Sequence, residues 1–154
     1  MAEVRRALKP DGLFVLEEFV GPSLFQWSDE QLMLTNNLLA LLPEKYRAYQ
    51  TGTIKLVHGR DTPEAVRAVS PFEAIRSSEI VPLLHKNFEV LHHNHLGGTI
   101  QHLLYAGIIH NFKDDDPDAQ RIINSIDKLE SFLIARKTIP SDFDLMIGKK
   151  IGEN

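Results

Sequence analysis

The sequence predicts an α/β fold, a three-strand sheet with helices packed on it. Residues 13–19, 88–95 and 143–150 are short apolar runs bounded by turn or breaker residues, which is the signature of strands. The segments between them carry apolar residues at helical spacing and recognisable helix starts: Ser28 with Gln31, Thr62-Pro63 and Asp116-Pro117. Hydrophobic content of 43% and charged content of 25% suit a globular chain of 154 residues, so residues 1–154 are expected to form a single domain.

Val4, Ala7 and Leu8 share one helix face, and Pro10 with Asp11-Gly12 stops that helix and turns the chain. Residues 2–9 are too few to be a stable helix alone. Leu13 to Leu16 are all apolar, which predicts a strand covered on both faces, as in a parallel sheet. Glu17 and Glu18 then put carboxylates at the strand end, where open α/β sheets bind ligands. Ser28 caps a helix carrying Leu32, Leu34, Leu38, Leu39 and Leu42, and Pro43 stops it. Short helices are expected after Pro43 and at Pro63. The Gly-bounded residues 51–60 between them read as an extended lid or insertion.

Pro71-Phe72-Glu73 predicts a turn of helix, and Ser78 caps a helix over residues 79–86 that tolerates Pro82 in its first turn. The strand at 88–95 places Phe88, Val90 and His92 on one face. Gly97-Gly98 turns the chain, and Thr99 caps a helix to about residue 111. Asp116-Pro117 opens a long helix to about residue 137, with Ile122, Ile126, Leu129 and Leu133 on its apolar face.

A net charge of -4 argues against a nucleic-acid partner, and the absence of cysteine excludes disulfide and thiol chemistry. No apolar run is long enough to span a bilayer, and the start lacks a signal peptide's apolar core, so a cytoplasmic protein is expected. His93 and His95 share a face on a strand, and imidazoles so placed can ligate zinc, copper or nickel. With no cysteine and no HExxH spacing beside them, the expectation is no metal, the histidines being polar positions beside a cleft. Gly97-Gly98 lacks dinucleotide-loop spacing, and residues 114–116 lack a calcium loop's pattern.

Leu8-Lys9-Pro10-Asp11-Gly12 and the strand after it resemble the lead-in to the fifth strand of class I S-adenosylmethionine-dependent methyltransferases. Gly21-Pro22-Ser23-Leu24-Phe25-Gln26-Trp27 is similar to a bacterial small-molecule branch of that family. Ser77-Ser78-Glu79-Ile80, Gly97-Gly98-Thr99 and Pro140-Ser141-Asp142-Phe143 follow in the same order. The resemblance implies a partial Rossmann-like fold whose last strand inserts antiparallel between the other two, with residues 99–138 a helical insertion on the substrate side. It also implies that the family's Gly-rich cofactor loop and second-strand acid lie upstream of Met1. The chain is therefore expected to be the C-terminal part of a methyltransferase, with no cofactor-binding residues of its own, weak or no binding of S-adenosylmethionine, and no activity alone.

Its implied contribution is the pocket for an unknown methyl acceptor, with Glu18, Trp27, Arg76, His102 and His110 as substrate-binding candidates and no catalytic residue assigned. Glu18 is either an orienting group or base, or a solvated strand end. Trp27 either walls the pocket or plugs the seam between helix and sheet. Strand 13–19, internal in the resembled fold, is expected to expose an edge here and to form a homodimer through it. The alternatives are a noncatalytic oligomerising module and a His-cluster metal-binding protein.

Overall fold

The computed structural model describes residues 1–151. In chain order its elements are α1 (Ala2–Ala7), β1 (Leu13–Phe19), α2 (Asp29–Leu41), α3 (Glu44–Arg47), α4 (Pro63–Val69), α5 (Ile80–Asn87), β2 (Phe88–Gly97), α6 (Gln101–Tyr105), α7 (Pro117–Ala135) and β3 (Phe143–Lys150). Single 3-10 turns occur at Ser23–Phe25, Ser77–Glu79 and Ile109–Asn111. The elements gather into two compact units, the first from residues 1–26, 61–96 and 141 onward, the second from residues 27–60 and 97–140. Among the described residues no helix is long and apolar enough to cross a membrane.

The first unit is built on the sheet, in the order β1-β3-β2. β1 and β3 run antiparallel, with Leu16 opposite Met146 and Glu18 opposite Asp144. The last strand thus lies between the other two, and Gly148 keeps it close to β2: a Cβ there would stand 3.0 Å from that of Phe88. Leu84, Phe88 and Met146 form the buried centre, with Val4, Leu8, Phe14, Leu16 and Ile80 packed around it. The expectation of a strand covered on both faces is corrected. Leu13 and Val15 are 54% and 58% exposed, while Phe14 and Leu16 join the core. An antiparallel sheet needs only one dry face, so an unbroken apolar run does not by itself imply two.

Local hydrogen bonds tie the end of β1 to the start of β3. Val20 and Gly21 donate N–H to the Asp142 carbonyl at 2.7 and 3.2 Å, and the Ser77 hydroxyl donates to the Gly21 carbonyl at 2.8 Å. Gly21 leaves no room for a side chain, since a Cβ would come within 2.7 Å of Asp142 Cγ. Ser78 does not cap α5 as expected. Its backbone N–H donates to the Ser23 hydroxyl, and the chain enters α5 through a 3-10 turn without a side-chain cap.

In the second unit the core comprises Leu39, Leu42, Tyr46, Ile100, Leu104 and Ile108 with their neighbours. Ser28 caps α2 by accepting the Gln31 N–H at 3.1 Å. The Gln31 side-chain amide also donates to the Thr99 carbonyl at 2.8 Å, which ties α2 to the turn before α6. Residues 51–60 are not a free lid. Lys55 is buried beneath α6, and the Asn36 amide exchanges two hydrogen bonds with the His58 backbone, at 2.7 and 3.1 Å.

The helix expected from Thr99 to about residue 111 is only the five residues of α6. The Thr99 hydroxyl donates to the Pro140 carbonyl, and the carboxylate of Glu130, reaching in from α7, takes the cap position. Gly107, at φ +75°, breaks the chain beyond α6.

Asp116 caps α7 as expected, accepting from the Asp118 and Ala119 N–H groups at 2.9 and 3.3 Å. The hydroxyl of Tyr46 donates to its other oxygen at 2.7 Å. That hydroxyl foremost, then the cap N–H groups and Lys45, hold the carboxyl pKa down to about 2 against an ordinary 3.8. A depressed carboxyl stabilises the folded chain fully above its unfolded pKa and loses that contribution as pH falls through the folded one. The expected result is an acid unfolding limb between about pH 4 and pH 2 that flattens in Asp116→Asn, read by circular dichroism. An unchanged limb in that variant would remove Asp116 from the acid response.

Candidate functional site

Two clusters of chemically capable side chains stand out, one in each unit. In the second unit, Trp27 lies just before α2, at the foot of the Ser28 cap, and its indole is buried. His58 stands edge-on to it with ring centres 5.4 Å apart, held there by the clamp of Asn36 on its backbone. His102, on α6, stands edge-on at 6.0 Å. The position of His102 follows from the Glu130 cap, which sets where α6 begins. The two imidazoles stand at 69° and 87° to the indole plane, so the three rings form an edge-to-face aromatic cluster with polar rims.

Of the five predicted substrate residues, the structure brings Trp27 and His102 together. His110 lies in the 3-10 turn Ile109–Asn111 and makes no hydrogen bond, ion pair or ring contact with the described residues. Arg76 is engaged by Glu79, three residues on, through both Nε, at 2.8 Å, and the terminal nitrogen. Its pKa is raised by that hydrogen-bonded partner and the carboxylate's charge. Glu18 is exposed at the end of β1, where its carboxylate accepts the next residue's N–H at 2.9 Å. An apolar cleft of about 430 Å³ opens in the second unit, lined among others by Leu38, Leu42, Tyr46, Arg121 and Ile122. None of the five predicted residues lines it.

The second cluster belongs to the sheet unit. Asp144, on β3, shares the inward face of Met146 and is nearly buried, its side chain 4% exposed. His93 Nε2 lies 2.7 Å from its Oδ2, and His95 Nδ1 lies 2.8 Å from its Oδ1. The two imidazole centres are 4.7 Å apart, and the ring of His85, on α5, stands 6.2 Å from that of His93.

This arrangement corrects the expected face of β2. Phe88 and Val90 pack on the core, and His93 and His95 reach Asp144 on that same face of the sheet, so the alternation shifts by one residue between Val90 and His93. One extra residue in a strand is what a β-bulge inserts, and bulges re-aim side chains in this way. The even spacing of His92 with Val90 therefore misled, and Asp144 was not foreseen as the shared partner. Its only sequence signal was a carboxylate inside the apolar stretch that begins the strand, Phe143 to Ile147. No family model matches the chain, and no curated protein or solved structure is significantly similar to it.

Proposed function

We propose that this chain is the C-terminal, acceptor-side part of a cytoplasmic, Rossmann-like S-adenosylmethionine-dependent methyltransferase. The observation that supports this most is the sheet order, in which the last strand lies between β1 and β2 and runs against β1. The chain's own residues do not fit the cofactor. Its one glycine pair, Gly97-Gly98, faces the Glu130 carboxylate, which occupies the backbone N–H groups that such a turn could offer to an anion. The part we assign to this chain is therefore positioning. The Trp27, His58 and His102 rings form an acceptor wall, which holds a nucleophile in line and keeps water from it.

Calorimetric titration of S-adenosylmethionine into the chain is expected to show no tight binding. Extending the chain through the codons directly upstream of Met1 is expected to yield a product that binds the cofactor and transfers labelled methyl groups to small acceptors. A folded extended product that does neither overturns the reading, and one-to-one low-micromolar binding by the chain alone overturns its cofactor part.

A second reading is a noncatalytic module that self-associates, and the position of β1 favours it. β1 is the outer strand of the sheet, and Leu13 and Val15 are exposed on it. Residues 13–16 contain no Pro or Lys to blunt the edge. Two copies pairing β1 across a two-fold axis would satisfy the free backbone groups and cover that apolar surface. Light scattering across a wide dilution range is expected to show a homodimer, and a monomer at every concentration would rule out the pairing.

A further inference from the structure

The geometry points to a divalent transition-metal site at His93, His95 and Asp144, with zinc as the ion best matched by the donors. One ligand atom from each residue lies within 4.8 Å of the other two. An ion bound at about 2.0–2.2 Å holds its ligand atoms about 3 Å apart, so shifts of well under the width of an atom admit it. The nitrogens and oxygens now in hydrogen-bond contact are the ones that would turn to the ion.

Charge argues in the same direction. A nearly buried carboxylate needs compensation by hydrogen bonds and by a positive charge. Glu18 stands directly opposite Asp144 on β1, and like charges so placed oppose each other. A dication bound there balances the buried carboxylate of Asp144. Two imidazoles, one carboxylate and no thiolate make a borderline donor set that suits zinc and neighbouring first-row ions rather than calcium or magnesium. His95 is 52% exposed, which leaves a solvent side where water completes the coordination, as in an open rather than a structural site.

The test uses the untagged chain, stripped with a chelator, and does not depend on methyl transfer. Zinc chloride is titrated by calorimetry, and cobalt(II) by visible absorption. The expected result is one ion per chain and cobalt d–d bands of a low-symmetry site. Asp144→Asn and His95→Ala should each weaken zinc by at least about tenfold and abolish the bands. His95 is half exposed, so its variant keeps the test decisive if Asp144→Asn does not fold. A folded chain that takes up no zinc saturably overturns the proposal. So does uptake of unchanged affinity in a His93→Ala, His95→Ala double variant, which would put the ion on other histidines.

Discussion

Replacing Glu130 with Ala is expected to cost about 3–5 kcal/mol of stability, a large share of what a domain this size possesses. Glu130 is 1% exposed. Its carboxylate accepts from the Gly98 and Gln101 N–H groups at 3.0 and 3.1 Å, from the Ile100 N–H, and from the Gln101 side-chain amide at 2.8 Å. The buried charge is satisfied by these donors, and the first N–H groups of α6 and its turn have no helical acceptor of their own. Truncation strands them together, and each stranded donor carries a desolvation penalty. Gly97 is part of the same device. It sits at φ +90°, and a Cβ there would come within 2.6 Å of the Glu130 carboxylate. Glu130→Gln keeps the size and one acceptor but points an NH2 at N–H donors, so about 1.5–3 kcal/mol should be lost. Urea unfolding followed by circular dichroism measures both. An Ala variant within about 1 kcal/mol of the parent would show that water takes the place of the carboxylate.

Lys55→Met is expected to cost about 2–3 kcal/mol. The Lys55 ammonium is 1% exposed and donates to the carbonyls of Leu103, Leu104 and Ala106 at 2.7, 3.1 and 2.9 Å. Three hydrogens meet three acceptors at the C-terminal end of α6, where carbonyls lack helical partners and a cation suits the helix dipole. Met fills the volume and leaves those carbonyls unpaired. Burial also pulls the pKa of Lys55 down from 10.5 to about 8. Between those values the unfolded chain binds more protons at this site than the folded chain, so the site's contribution to stability rises with pH. Below about pH 8 the folded chain carries the whole cost of the buried charge. The stability gap between parent and Lys55→Met should therefore widen from neutral pH to about pH 9.5. A gap that narrows over that interval would show that the carbonyls hold the charged form more strongly than burial opposes it.

Of the candidate clusters, the sequence named Trp27, His102, His93 and His95 but missed one decisive partner in each. His58 is brought to Trp27 by the Asn36 clamp, and Asp144 meets both imidazoles across the sheet. Arg76 and His110 carried the same weight in the sequence as the others, yet one is engaged by its neighbour Glu79 and the other stands without a polar partner. Residue type signals that a side chain can do chemistry, and says nothing of whether its surroundings have already employed it.

What the sequence by itself determined is local. The bounds of β1 and β3, the Ser28, Thr62 and Asp116 caps, and the stop at Pro43 follow from residues within a few positions of one another, and the structure has them where the pattern places them. Only the tertiary structure decided the rest: the open face of β1, the shortening of α6, the shift of parity in β2, and the partners of three buried charged groups. Glu130 finds its donors 29 to 32 residues away, Lys55 its acceptors 48 to 51 away, and Asp144 its imidazoles 49 and 51 away. No periodicity of 2 or 3.6 reaches across such gaps. What closes them is the need of a buried polar group for a partner, and that partner is chosen by packing.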